Sequence, residues 1–358
     1  MQCSIYRLAT RNSGNRIKPK EVSRLVAMDS VDQRISAMRV KGIDKLRALA
    51  ALSVVIAHIY GSAIPGYWKY LFTGHPSVIA FFVISGFCIH RPYVQNRLDV
   101  KAFLAARLVR ILPPVLVAMF FANRLQMNLY NFTDGYILWS VVCELWYYGC
   151  YPIFYWASKY ISWKAQFVLA MLVSFTIVGY FGSDQYGGAA VYGPYLNWVV
   201  ALPSWLLGCV VAEQEIGKPA NVYIWRLVTA LAAAIAYYLT MNTSIGFYLT
   251  MNLFAVLAAV WLKAEIATAK SSNWLDWIGT WSFSIYLIHM IANRAIEVYW
   301  AAYIPYKGIA LTALAMSLIF YFIVEKPSHF LARKVFKFMS PAVANPVQTV
   351  PAVLVKES

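Results

Sequence analysis

Charge is what this sequence has least of, and negative charge is scarcest. Asp, Glu, Lys and Arg make up 13% of its 358 residues, with 15 acids against 31 bases. Soluble domains carry about a quarter charged residues, so the long stretches between these charges cannot be faced with water. The bases cluster in short segments between apolar runs and at the termini. The net charge of +16 is therefore not read as a nucleic-acid footprint, and no nucleic-acid partner is expected. The five cysteines (Cys3, Cys88, Cys143, Cys150, Cys209) include no Cys-x-x-Cys pair. Four lie in or beside apolar runs, which suits small core residues rather than disulfides or metal ligands. The five histidines (58, 75, 90, 289, 329) do not fall at metal-ligand spacing, and no metal is expected. The chain also lacks Gly-x-Ser-x-Gly, a P-loop, His-Glu-x-x-His, Gly-x-Gly-x-x-Gly and His-x-x-x-x-Asp, and with them the soluble chemistries those motifs carry. Residues 1–41 hold no apolar run of the kind that marks a cleavable signal. They are basic and polar and read as a disordered cytoplasmic tail, with Met28 and Met38 as alternative starts.

Hydrophobic residues, by contrast, make up 61% of the chain and aromatic ones 16%. Runs long enough to cross a bilayer as helices recur through it. Ten spans are expected, at about 44–63, 76–91, 102–123, 134–157, 164–181, 191–213, 222–241, 245–263, 276–300 and 306–324. The third should kink at Pro113-Pro114. The Lys/Arg-rich segments are the N-terminal tail, 91–110, 159–164, 263–270 and 326–337, and more weakly 213–226. Ten spans with the N-terminus inside place all six on the cytoplasmic side, as the positive-inside rule requires. The expected fold is thus an all-α integral membrane bundle of about ten transmembrane helices with both termini cytoplasmic. Its domains are the tail at 1–41, a transmembrane domain at 42–335 and a cytoplasmic C-terminal tail at 336–358. No internal repeat of the transporter kind is apparent.

Polar groups inside such spans are costly, and they mark candidate sites. The first span opens Asp44-Lys-Leu-Arg47 and reaches His58 eleven residues on. Eleven residues are about three helical turns, so the guanidinium and the imidazole share a face roughly 16 Å apart. Arg107 and Arg110 share a face at the start of the third span. With Arg47 they offer three cations suited to a phosphate-bearing ligand, because guanidinium binds phosphate bidentately. In the fourth span Ser140, Glu144, Tyr147, Tyr148 and Tyr151 form a polar and aromatic face, and a carboxylate at that depth must be protonated, paired or hydrated. In the ninth, Ser282, Tyr286, His289, Asn293 and Glu297 align at spacings of three and four. Ser85-Gly86 in the second span suits close helix packing. Glu325 ends the last span, available to a basic loop.

Together these stretches resemble the acyltransferase-3 family of integral membrane acyltransferases. The resemblance rests on Arg47-(ten residues)-His58, Phe82-Val-Ile-Ser-Gly-Phe, Arg107-Leu-Val-Arg110…Pro113 and Trp139-Ser140…Glu144…Tyr147-Tyr148…Tyr151-Pro152. Ser282…Tyr286-Leu-Ile-His289 and Glu325-Lys326-Pro327 complete it, in order over about residues 42–335. It implies transfer of an acyl group, usually acetyl, from cytoplasmic acyl-CoA to a hydroxyl of a cell-surface or exported glycan such as O-antigen or exopolysaccharide. On this likeness Arg47, Arg107 and Arg110 hold the CoA phosphates, and His58 is the general base or a transient acyl carrier. Glu144 orients or charge-balances His58. Weaker substrate contacts are Ser85, Trp139, Ser140, Tyr147, Tyr286 and His289. Acetyl-CoA is a donor substrate, and no cofactor is permanently bound. The implied partners are acyl-CoA, a glycan or lipid-linked sugar and membrane lipids, with a homo-oligomer or a glycan-synthesis complex left open. The implied location is a bacterial inner membrane, crossed many times.

Two departures stand out. Only 25 residues separate Pro113 from Trp139, so an external loop or helix segment is expected to be missing. Val142-Cys143 stands where the family often has another acidic or small residue, so no carboxylate pair is available. No fused extracytoplasmic SGNH domain is expected. A proton-coupled carrier or flippase for a glycan or small acid is the alternative that intramembrane Arg, His and Glu also suit.

Overall fold

The computed structural model describes residues 42–72, 74–127, 138–182, 189–215, 217, 221–268 and 273–340. The tail expected at 1–41, residues 341–358 and the connection at 128–137, where the shortening was expected, lie outside them. Among the described residues the chain is helical without strands. The helices are α1 (Ile43–Tyr60), α2 (Gly74–His90), α3 (Val100–Arg124), α4 (Leu138–Ala157), α5 (Trp163–Phe181) and α6 (Ala189–Glu213). They continue with α7 (Val222–Asn242), α8 (Phe247–Thr268), α9 (Trp274–Thr280), α10 (Ser282–Ala295), α11 (Ile309–Phe320) and α12 (Lys326–Met339).

Each of the ten expected spans has its helix. The stretches containing α2, α3, α5, α6, α7, α8 and α11 are long and apolar enough to cross a membrane. The other three, α1, α4 and α10, hold Arg47 and His58, Glu144, and His289. Polar residues singled out from the sequence also lie on stretches that meet it, Arg107 and Arg110 on α3 and Glu325 at the end of the last span.

Several boundaries differ from expectation for local reasons. The expected ninth span breaks at Trp281, so that a short α9, started by a capping box between Asn273 and Asp276, precedes α10. Helix α3 runs unbroken through Pro113 and Pro114, and α6 bends at Gly193 (φ 63°). The last span passes through a π-helical turn, Tyr321–Glu325, directly into α12. Residues 336–339, expected in the C-terminal tail, therefore belong to a helix.

Packing is closest where side chains are absent. A Cβ on Gly86 would lie 1.9 Å from the carbonyl oxygen of Trp205, and one on Gly208 would lie 2.1 Å from that of Val83. Backbones of α2 and α6 thus touch, the mode by which helices associate when lipid removes the hydrophobic drive between them. The structure gives Gly86 the packing role its place beside Ser85 suggested. Gly279 of α9 meets the carbonyl of Asp44 in the same way, at 1.9 Å, pinning the α9–α10 break against the start of α1.

One buried polar network is closed within the bundle, as hydrocarbon demands. Asn252 of α8 donates to Ser174 Oγ and to the Val200 carbonyl (both 3.1 Å) and accepts from Ser204 at 2.9 Å. Outward, α7 presents Ile224, Leu227, Leu231 and Ile235 at helical spacing, a lipid-facing stripe.

Because Gly86 allows no atom between α2 and α6, Gly86→Ala is expected to destabilise the bundle by about 1–3 kcal/mol, the scale of overpacking. Gly149→Ala, with nothing within 4 Å of the added atom, should be near neutral. Thermal unfolding in detergent, followed by a thiol-reactive dye that reports exposure of buried Cys143 and Cys209, would separate the two.

Candidate active site

The three arginines named from the sequence converge. Arg47 from α1 and Arg107 and Arg110 from α3 line one cavity of ≈ 120 Å³, with Ser85, Ser140 and Glu144 among its other walls. A water needs about 10–15 Å³ of such space, so the cavity has room for several waters or the end of a ligand. Arg47 lies 3.5 Å from Asp44 and donates to Cys88 Sγ at 3.4 Å. Arg107 lies over the rings of Phe103 and Tyr148, at 5.5 and 5.6 Å. Arg110 Nε donates to His329 Nε2 at 3.2 Å.

Two carboxylates share the cavity with these three guanidiniums. Glu144 Oε1 accepts from Ser85 Oγ at 2.9 Å and from the Tyr148 hydroxyl. Glu325, 1% exposed, lies at the end of the π-helical turn and turns inward. Its Oε2 accepts from the backbone N–H of Ser284 at 3.0 Å and from the Ser284 hydroxyl, and its Oε1 lies 3.4 Å from His329. Ser284 is in the first turn of α10, whose N-cap residue, Trp281, makes no side-chain cap. Glu325 therefore caps α10 from another helix, where the dipole favours an anion. With three guanidiniums against two carboxylates in its lining, and the α10 N-terminus already met by Glu325, the cavity can take an anionic group at its arginines.

The second half of the site is a histidine pair. His289 is fully buried, and its Nδ1 faces the Ile285 carbonyl oxygen at 2.9 Å. A carbonyl only accepts, so His289 Nδ1 carries the proton and Nε2 presents a lone pair. That lone pair lies 2.8 Å from His58 Nδ1, which must then donate. The ring centroids are 5.1 Å apart with planes 11° from parallel. A 2.8 Å N···N distance leaves only the two ring radii, so the imidazoles lie end to end, nearly coplanar. His58 is held in one tautomer with its Nε2 lone pair outward, and the residue is exposed. A Cβ on Gly74 would come within 3.2 Å of that nitrogen; glycine keeps its surroundings open. An imidazole whose far nitrogen is fixed and whose near nitrogen is free is arranged to accept a proton or attack a carbonyl.

This corrects the expected pairing of Glu144 with His58: the group bonded to His58 is His289, and Glu144 is engaged by Ser85 and Tyr148. Among the weaker candidates, Ser85, Ser140 and Tyr286 line the cavity. Trp139 and Tyr147 do not. Trp139 packs edge-on against Phe82 and Phe247, and Tyr147 is buried with its hydroxyl on the Trp198 carbonyl. Tyr151, on the same expected stripe, bonds His90, which also pairs with Glu213 at 2.6 Å. The sequence reading missed His329 and Cys88. The i, i+4 spacing of Glu325 and His329 was there to be read, whereas a lone cysteine gave no signal.

Comparison with known proteins places these residues in a family. Residues 40–325 match the model of a family described as "Acyltransferase domain". "Nodulation protein 10" of Rhizobium leguminosarum bv. viciae is 23% identical over 339 residues, covering 77% of this chain and 91% of that protein. No solved structure matches the chain.

Removing the cross-helix cap should be felt in stability. Glu325→Ala leaves the Ser284 N–H and hydroxyl without their partner, and the expected cost is about 1–3 kcal/mol. Glu325→Gln keeps an acceptor oxygen and should retain most of the melting temperature in detergent.

Proposed function

The chain belongs to this family of integral membrane acyltransferases, and from that premise we propose that it moves an acetyl group from cytoplasmic acetyl-CoA to a hydroxyl of a cell-surface or exported glycan. The observation that carries the reading is the pairing on α1. The three-arginine cavity begins at Arg47, and the free Nε2 of His58 stands eleven residues, roughly 16 Å, further along the same helix. An extended pantetheine arm spans a comparable length. Phosphates held by Arg47, Arg107 and Arg110 would thus leave the thioester within reach of the imidazole.

In the proposed reaction His58 Nε2 takes the proton from the acceptor hydroxyl as its oxygen attacks the thioester carbonyl. The C–S bond breaks, the CoA thiolate leaves, and the imidazolium returns the proton to the sulfur. The products are the O-acyl ester and free CoA. His289 is a positioning residue in this scheme: it fixes the His58 tautomer, the part a carboxylate plays behind other catalytic histidines. Sidedness follows from charge. The Lys/Arg-rich connections lie at the Arg47 end, which the positive-inside rule puts in the cytoplasm. The His58 end then faces the acceptor across a plasma membrane, a bacterial inner membrane on this reading. The donor is a substrate rather than a resident cofactor, and a lipid-linked sugar is an equally suitable form of acceptor.

The test is transfer of labelled acetyl from acetyl-CoA to surface glycan in membranes holding equal amounts of each variant. His58→Ala should lose at least about 10²-fold, the scale of general-base catalysis. Arg47→Ala should raise the KM for acetyl-CoA several-fold with a smaller effect on kcat. His289→Ala should lower kcat with little change in KM. Transfer by His58→Ala at the parent rate would overturn the mechanism.

A further inference from the structure

Polar side chains on α4 recur at one helical turn between the arginines and the histidine pair. Tyr148 stands at the arginine end, its ring centroid 5.6 Å from the Arg107 guanidinium. Four residues nearer the histidines, Glu144 accepts from Ser85 of α2 at 2.9 Å. Four further on, Ser140 meets the Tyr286 hydroxyl of α10 at 2.6 Å. The Tyr286 ring lies 6.2 Å from that of His289, which bonds His58. Ser85, Ser140, Glu144, Tyr148 and Tyr286 all line the cavity. Eight residues of α4 and then three of α10 lead from Tyr148 to His289, the same eleven that lead along α1 from Arg47 to His58. Both routes rise roughly 16 Å.

We propose that the pairs Ser85–Glu144 and Ser140–Tyr286 are two rungs that hold the two amides of the donor's pantetheine arm, and so fix where its thioester stops. The proposal rests on the acyl-transfer reading above. An arm drawn from the arginines to His58 crosses a packed interior, where an amide without partners is costly. Its amides are separated by one residue with one extra methylene, about 5 Å when extended. The rungs are four residues apart on α4, a rise of about 6 Å. Beyond the second amide two methylenes precede the sulfur, and beyond Tyr286 three residues precede His289, an interval of about 4–5 Å in each case. Each rung offers an acceptor for the amide N–H and a donor for its carbonyl: Glu144 with the Ser85 hydroxyl, then Ser140 Oγ with the Tyr286 hydroxyl. Without the arm the members of each pair satisfy one another. With it, one hydrogen bond per rung is exchanged for two, and Tyr148, also bonded to Glu144 Oε1, keeps the carboxylate in place as Ser85 turns to the arm.

The experiment compares acetyl-CoA with two analogues in which an ester oxygen replaces the N–H of the first or of the second amide, phosphates and arm length being kept. The unaltered protein should lose about tenfold in kcat/KM with either ester, the order of one hydrogen bond left unmade. Glu144→Ala should lose little more with the first ester and the full tenfold with the second; Ser140→Ala should do the reverse. Glu144→Gln keeps an acceptor oxygen and should restore the penalty on the first ester. A merely structural side chain would scale all three donors alike, since groups that do not touch have additive effects. Ser140→Ala tests the second rung by itself even where Glu144→Ala does not fold. Parent rates with both esters in the unaltered protein, or ester penalties undiminished in the alanine variants, would overturn the rungs and leave the acyltransferase reading standing. Absence of transfer from acetyl-CoA itself would overturn both.

Discussion

A helix that begins inside a bundle, away from water, exposes backbone N–H groups that must find an acceptor. The rest of this site depends on how α10 meets that requirement. The chain breaks at Trp281 and offers no side chain of its own as a cap, and the acceptor arrives from the last span as the carboxylate of Glu325. The bond fixes where α10 starts and how it is rotated. Five residues beyond Ser284, that rotation places His289 against His58. The same carboxylate reaches His329 and, through it, Arg110. One capping interaction thus couples the setting of the histidine pair to the arginine wall.

Much of this was legible from residue order. The scarcity of charge, the spacing of apolar runs and the placement of Lys and Arg yielded the spans. The eleven-residue interval from Arg47 to His58 gave a common face. What spacing cannot deliver is partnership between distant segments. His58 and His289 are 231 residues apart, and Glu144 was the acid that motif logic offered as the partner of His58. Two helices hold Glu144 elsewhere, through Ser85 and Tyr148. Trp139 and Tyr147 lie off the cavity for a related reason. A polar-aromatic stripe on α4 is wider than the cavity it borders, and only Ser140, Glu144 and Tyr148 of it line the cavity.

The helices sort by how much polar chemistry they carry. Those apolar enough to cross a membrane by composition build the scaffold, with α2 and α6 in backbone contact at Gly86 and Gly208. The three below that measure carry Arg47, His58, Glu144 and His289, while Arg107, Arg110 and Glu325 come from stretches above it, and α2 satisfies part of the polarity of α1 and α4. Cys88 of α2 accepts from Arg47 and Ser85 of α2 donates to Glu144. Helix α2 in this way serves both the packing of the bundle and the polar groups of the site.

The histidine pair has a consequence for electrical balance. A carboxylate behind His58 would leave a resting anion deep in the outer half of the bundle, where an unpaired charge is expensive. A neutral imidazole orients the ring through the same kind of hydrogen bond and adds no charge there. The guanidinium cluster lies at the Arg47 end and the imidazole pair at the other, so the polar groups within the bundle differ in charge from one half to the other.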